Sequence, residues 1–444
     1  MKNIYIITGG TINYVRPHFA LSAPAYGNIG REIANQLNEM DIQEDYNLYL
    51  IPTKMALSII QDDKDYEQVY YSVLKKAGLD KLETNDELSK FTDYLISEKD
   101  TRCIVMSAAV CDFEPSLVTT EDELNSESFG KSFSRLHSNN FISLELKPSE
   151  KIISKIRKTR KDIFLVNFKT TSDVGFDETY KQGLSSLKKN SSNLVFANDI
   201  KQKINMVVTP EEFPYHTDDR KGTIDILCKM LKDRLNLTFE DKTFLVDDLR
   251  AFPDKLVSDK SIPSNWYEVM TYLFKNNAFK PLSTTGKTSG HFGCRVYGKD
   301  YERITSERKI NHNESFKRGM IRVYSYKDNK LMVGGAKPSV GEKTQEMIYH
   351  DLGDKIDAIV HFHSPLKDGV KEIPTKSQFS FECGSKECAL NTVSGMKELL
   401  PGIWAVHLDN HGPNIAFSKD VKSEDVINFI NKYWDITLKT GGIV

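Results

Sequence analysis

The sequence predicts an α/β protein built as two units, and two observations carry that prediction. Up to about residue 235, short apolar strand-like segments alternate with helical ones, the pattern of a mostly parallel sheet covered by helices on both faces. From about residue 250 a second series of strand and helix signals follows a stretch of weak pattern. A length of 444 residues allows two or three domains at roughly 100–200 residues each.

Taken in order, Ile4–Ile7 is an apolar strand running into Thr8-Gly9-Gly10-Thr11, and Ile29–Leu37 has helical periodicity. Tyr49–Ile51 and Cys103–Met106 read as strands, and Ile142–Leu146 alternates with period two. Ile152–Arg160 is a basic helix, Ile163–Phe168 a strand, and Glu178–Lys188 a polar helix. Leu194–Ala197 is a strand ending in Asn198-Asp199, and Val207–Val208 with the helix Thr223–Leu235 closes the unit. Between 236 and 260 the pattern weakens, with Phe252-Pro253-Asp254 and Ile262-Pro263-Ser264 as connectors. A helix then runs from Asn265 through Phe274, followed by strands at Cys294–Val296, Met320–Tyr324 and Ala358–His363. The domains expected are 1–238 and 250–444.

Composition narrows the function classes. With 39% hydrophobic and 27% charged residues the chain holds material for more than one core. A net charge of -2 gives no global field to attract nucleic acid or anionic lipid. The Lys155–Lys161 stretch reads as a solvated helix face. The N-terminal apolar run is too short for a signal peptide, and no run approaches the ~20 residues that span a bilayer. The expectation is a cytoplasmic protein acting on small molecules, with no nucleic-acid or membrane partner. Its six cysteines are then reduced, and Cys383 and Cys388, which lack a zinc-ribbon pattern, read as ordinary thiols.

One constellation points to metal chemistry. His361 and His363 end an apolar strand, and alternate strand residues share a face, so both imidazoles can reach one ion. His411, at the junction Asp409-Asn410-His411-Gly412, supplies a third ligand for a site with an open position. Glu342 opens a helix nineteen residues before His361 and is placed to act as acid/base.

These motifs, Pro338-Ser339-Val340-Gly341-Glu342, His361-Phe362-His363-Ser364-Pro365 and Asn410-His411-Gly412, resemble the class II aldolase/adducin family. The resemblance covers about 250–444. It implies an α/β/α domain, zinc or another divalent ion, and enediolate chemistry with Glu342 shuttling the proton. Gly290, His291, Arg295 and Arg308 stand at the positions that bind the substrate's anionic group. His291, where the family has Asn, and Val340, Gly341 and the segment Thr305-Ser306-Glu307-Arg308 depart from its phosphate-gripping residues, so an altered substrate is expected.

The first half carries nucleotide signals. Ile7-Thr8-Gly9-Gly10-Thr11 is a strand entering a glycine turn, and Gly27-Asn28-Ile29-Gly30 opens a helix whose N-terminus favours phosphate. Asp112, in Ala108-Ala109-Val110-Cys111-Asp112-Phe113, is a strand-end carboxylate able to hold magnesium. With Lys147-Pro148-Ser149-Glu150-Lys151-Ile152-Ile153, Val166-Asn167-Phe168 and Ala197-Asn198-Asp199, these pieces resemble the phosphopantothenate–cysteine ligase family over about 1–235. That resemblance implies a Rossmann-like doubly wound domain, activation of a carboxylate with CTP or ATP and Mg2+, and attack by an amine. Gly9, Gly10, Thr11, Gly27 and Gly30 would hold phosphates, Asp112 the cation, and Phe168, Asn198 and Asp199 would frame the nucleotide. Ala23 replaces the family's Asn, Arg135-Leu136-His137 its Lys-Ile-Lys clamp, and Thr171 its acid. Both families imply a homo-oligomer, a dimer or tetramer.

Overall fold

A computed structural model of the chain describes residues 1–120, 129–133, 135–136, 142–239, 242–280, 288–308 and 316–441. It divides into two compact units, the first formed by 1–207 and 215–235 and the second by 208–214 and 236–444.

The first unit is built on a seven-stranded sheet. Lys2–Thr8 lies between Tyr46–Pro52 and Thr101–Met106, and Phe164–Thr171 and Leu194–Asp199 continue the sheet, all in parallel. Ile204–Val208 and Pro214–Tyr215 extend it. Ile4–Thr8 are buried without interruption, as a strand covered on both faces requires. The chain leaves Lys2–Thr8 to one side and returns on the other, so the strand order reverses there. Such a switch point opens a crevice at the carboxyl ends of the strands. The alternation at Ile142–Leu146 belongs elsewhere. Ile142–Pro148 pairs with Phe113–Thr120 in a separate antiparallel ribbon, and Phe113, Ile142 and Leu146 are exposed.

The second unit holds a ten-stranded, mainly antiparallel sheet. Its central strands are His291–Arg295, Ala358–His361 and Gly412–Phe417. Side chains alternate across it. Phe292, Cys294, Ala358, Val360, Ile415 and Phe417 pack with Trp266, Val269, Phe429 and Ile430 of the helices Ser264–Lys275 and Tyr433-ending Ser423–Tyr433. Ile359 and Ala416 face the other way, onto Ile348, Tyr349 and Leu352 of the helix Glu342–Leu352. The layers are therefore helix, sheet, helix. The weak stretch at 236–260 contains a strand, Lys242–Asp247, and a helix, Pro253–Ser258. That strand joins the sheet edge beside Lys330–Gly334 with Phe244, Leu245 and Val246 exposed, so it carries no buried face that would produce a readable alternation. Among the described residues no helix is long and apolar enough to cross a membrane.

Candidate metal centre and nucleotide crevice

In the second unit the strand Ala358–His361 ends on the first histidine, and His363 lies just beyond it. The pair is thus not two alternate positions of one strand. The rings nonetheless converge, with centroids 5.2 Å apart. His411 arrives from the turn between Ile403–Leu408 and Gly412–Phe417, its ring centroid 4.6 Å from both His361 and His363. Two glycines make this convergence possible. A Cβ on Gly290 (φ +102) would lie 2.2 Å from the His361 carbonyl oxygen, and one on Gly412 (φ +150) 2.1 Å from that of Phe362. Any side chain at either position would push the neighbouring strand away from the 361–363 segment.

All three histidines are buried, and one ring nitrogen from each lies within 4.8 Å of the others. His361 Nδ1 stands 2.7 Å from the Pro413 carbonyl oxygen, which accepts only if Nδ1 carries the proton. That leaves Nε2 as a bare lone pair, 3.3 Å from His411 Nε2. Burial pushes His361 and His411 well below the usual imidazole range, and the neighbouring rings add to the effect. Buried neutral imidazoles whose lone pairs converge fit a divalent cation, because the ion supplies what the lone pairs otherwise lack. His363 Nδ1 is buried without a hydrogen-bond partner among the described residues. Glu212 Oε2 lies 3.8 Å from it, itself held by the Ser289 hydroxyl at 2.9 Å.

The sequence reading names Glu342 as the acid/base partner of the ion; in the structure it is not one of the three residues whose ligand atoms converge, and it is held by a buried arginine. Its carboxylate accepts from Arg303 Nη1 at 3.1 Å and from the Thr305 hydroxyl at 2.5 Å. Glu342 and Arg303 are 3% and 4% exposed, and a guanidinium that deeply buried needs an anion. Arg303 also meets Glu346. Burial raises the Glu342 pKa, while Arg303 and Thr305 oppose the rise.

The expected anion-binding residues separate. The His291 ring stacks on His361, centroids 4.6 Å apart, and its Nδ1 is 3.0 Å from Gln345 Nε2. Burial holds it neutral, lowering its pKa to about 3. A Cβ on Gly341 would meet His291 Cδ2 at 1.9 Å, so the two departures from the family pattern are coupled: the larger ring at 291 needs a glycine at 341. Arg295 is spent on the carbonyls of Ile356 and Gly353 and lies over the Tyr349 ring. Arg308 is exposed, its backbone N–H bonded to the Lys337 carbonyl. Cys383, read from the sequence as an ordinary thiol, has its Sγ 3.5 Å from His411 Nε2. A hydrogen bond with Cys388 and burial push that thiol well above its usual range.

In the first unit the Gly9-Gly10 turn and Ala109 meet at the switch point, through Ala109 N to Gly9 O at 2.9 Å and Thr11 N to Ala109 O at 3.0 Å. The Thr11 hydroxyl is buried, bonded to Asn85 Oδ1 and to the Cys111 N–H, so it joins segments of the fold and offers nothing to a phosphate. Gly27 caps the helix Asn28–Glu39, with no side chain capping the first-turn N–H groups. Gly30 packs this helix on Thr8. Asp112 is exposed and pairs with Lys151 at 2.7 Å. Phe168 lies against Phe196, and the buried Asn198 accepts from the Thr170 hydroxyl. Asp199 accepts from the N–H groups of Asp173, Val174, Lys201 and Gln202 and from the Thr171 hydroxyl. Burial disfavours its charge, but those donors outweigh burial and hold the carboxyl well below the usual range. Asp199 therefore fixes two turns. His137 lies outside the described residues.

Sequence reasoning missed a second charged centre. The buried Glu83 carboxylate gathers Lys54, Lys81 and Lys131 at 2.8, 2.8 and 2.5 Å and the Tyr14 hydroxyl at 2.7 Å. No local spacing signals it, because its partners are scattered along the chain.

The profile of the DNA/pantothenate metabolism flavoprotein C-terminal domain matches residues 1–235. A curated relative, the coenzyme A biosynthesis bifunctional protein CoaBC of Thermococcus kodakarensis, is 22% identical over 201 residues, 45% of this chain and 42% of that protein. The match thus spans less than half of the relative's length. Among solved structures, the DNA/pantothenate metabolism flavoprotein of Streptococcus pneumoniae is 20% identical with a TM-score of 0.39, covering 52% of this chain and 99% of its own. L-fuculose-1-phosphate aldolase from Thermus thermophilus is 15% identical with a TM-score of 0.26, covering 38% of this chain and 88% of its own. Both scores are too low for a common fold to follow from them.

Proposed function

The chain belongs to the family of the DNA/pantothenate metabolism flavoprotein C-terminal domain, and from that premise we propose a bifunctional enzyme. Its first unit activates a carboxylate with CTP or ATP and Mg2+ and joins it to an amine, as in phosphopantothenate–cysteine ligation for coenzyme A supply. Its second unit is a zinc-dependent lyase of class II aldolase type. The observation that carries the second half is the convergence of His361, His363 and His411 as three buried, partly bare imidazoles. A divalent ion held there would polarise a substrate carbonyl and stabilise the developing oxyanion. The chain's own groups set the rest. His361 is oriented by the Pro413 carbonyl, and the stacked His291 and Gly341 shape the wall beside it. Glu342, tied to Arg303 and Thr305, holds that wall together and contributes structure.

The ligase half rests on family membership, on the glycine turn at the switch point and on the uncapped helix start at Gly27. Its test is pyrophosphate release from CTP or ATP by the purified chain with 4′-phosphopantothenate and cysteine. Titration calorimetry of each nucleotide should show binding, and absence of binding by both would sink this half. A second reading keeps nucleotide binding but drops ligation, leaving the second unit as the working enzyme. The Asp112–Lys151 pair favours it, since that carboxylate already has a cationic partner. Nucleotide binding without pyrophosphate release would select this reading.

A further inference from the structure

We propose that Cys383 supplies a fourth, thiolate ligand to the ion held by the three histidines, an inference that rests on the metal reading above. With metal–nitrogen bonds of about 2.0–2.1 Å and metal–sulfur bonds of about 2.3 Å, a tetrahedral site has N···N edges of about 3.3 Å and N···S edges of about 3.6 Å. His411 Nε2 has two such neighbours, His361 Nε2 at 3.3 Å and Cys383 Sγ at 3.5 Å. Both match the edges of one polyhedron. Cys383 Sγ lies outside the group of three whose ligand atoms are all within 4.8 Å of one another, so at least one of its other edges is longer. Ligation therefore keeps the His411 edge and requires Cys383 and the farther histidine to draw together around the ion.

Three independent features support the assignment. The backbone at 383 is anchored, with its N–H donating to Glu211 Oε1 at 3.0 Å. It is followed by Gly384 and by Ser385, which caps the helix Lys386–Val393. Glu342, the carboxylate expected at the site, is not in the group of three convergent ligands and accepts from Arg303 and Thr305. His363, 7% exposed, has a buried Nδ1 without a hydrogen-bond partner among the described residues, so the cluster itself calls for a ligand. A thiolate changes the site's chemistry. It selects thiophilic ions such as zinc and cobalt over magnesium or manganese, and a substrate oxygen would then enter as a fifth ligand. It also offsets one positive charge in a pocket whose other three donors are neutral.

Cobalt substitution of the full-length protein tests this directly. Metal-stripped chain loaded with Co(II) should show the visible bands of a tetrahedral ion and, in the near ultraviolet, a thiolate-to-cobalt charge-transfer band. Cys383→Ser should lose the charge-transfer band and keep the visible bands, while Cys388→Ser should keep both. Visible bands with no charge-transfer band, or one that survives in Cys383→Ser, overturn the thiolate assignment and leave the histidine site standing. Absence of any cobalt bands overturns the thiolate and the metal reading together. If Cys383→Ser does not fold, Cys383→Asp decides in its place: cobalt bound without the charge-transfer band supports the assignment, and a surviving band overturns it.

Discussion

Replacing Glu342 by alanine separates a structural carboxylate from a catalytic one. The substitution leaves the Arg303 guanidinium, 4% exposed, with Glu346 as its remaining anionic partner, and it removes the acceptor of the Thr305 hydroxyl. Breaking a buried pair typically costs about 3–5 kcal/mol. Glu346 still offsets part of the charge, which brings the expected loss to about 2–4 kcal/mol. Urea denaturation reads this cleanly because Trp266, Trp404 and Trp434, the chain's three tryptophans, all lie in the second unit. With a denaturant slope of about 2–3 kcal/mol/M, the fluorescence midpoint should fall by roughly 1 M. The triple substitution Arg303→Met, Glu342→Leu, Glu346→Leu should regain much of the loss, since apolar replacement of a whole buried charge triad is often neutral. An unchanged midpoint in Glu342→Ala, with lyase activity abolished, would return Glu342 to proton transfer.

Three further outcomes follow from the same geometry. Glu212→Gln should weaken zinc binding roughly tenfold in a chelator competition, because it removes a negative charge 3.8 Å from His363 Nδ1 that would attract the ion; wild-type affinity would remove Glu212 from the site. Asp199→Ala should destabilise the first unit by about 2–4 kcal/mol and speed amide exchange at Asp173, Val174, Lys201 and Gln202, whose N–H groups lose their acceptor; unchanged exchange there would contradict this. His407 is buried, with its pKa lowered to about 4. The unfolded chain therefore binds one proton more than the folded chain below about pH 6.5, so stability is full above that pH and falls toward pH 4 by about 1.4 kcal/mol per unit. His407→Gln should flatten the pH dependence of tryptophan-monitored unfolding by that slope, and identical slopes would exclude the assignment.

What the sequence made legible depended on how local the signal is. The apolar strands at Ile4–Ile7, Cys103–Met106 and Leu194–Ala197 stand out because both faces are buried, and the structure has strands there. The strand Lys242–Asp247 escaped because it is an exposed edge. Ile142–Leu146 is a strand, yet its alternation could not say that it pairs with Phe113–Thr120 away from the main sheet. The three histidines were readable as motifs, and the structure brings them together. Their surroundings were not, because Glu212, Ser289 and Cys383 reach them through long-range folding. Arg303 had no motif at all, and only burial reveals that its charge claims Glu342. Arg295 looked like a substrate clamp, but loop carbonyls take its donors first.

The second unit is proposed to hold a metal enzyme site. Its most direct test is the metal content of the full-length chain purified without chelators. The account predicts one equivalent of zinc per chain, lost in His361→Ala and in His411→Ala while tryptophan fluorescence still reports a folded second unit. A folded wild-type chain that carries no transition metal, and takes up none when zinc is supplied, would contradict it.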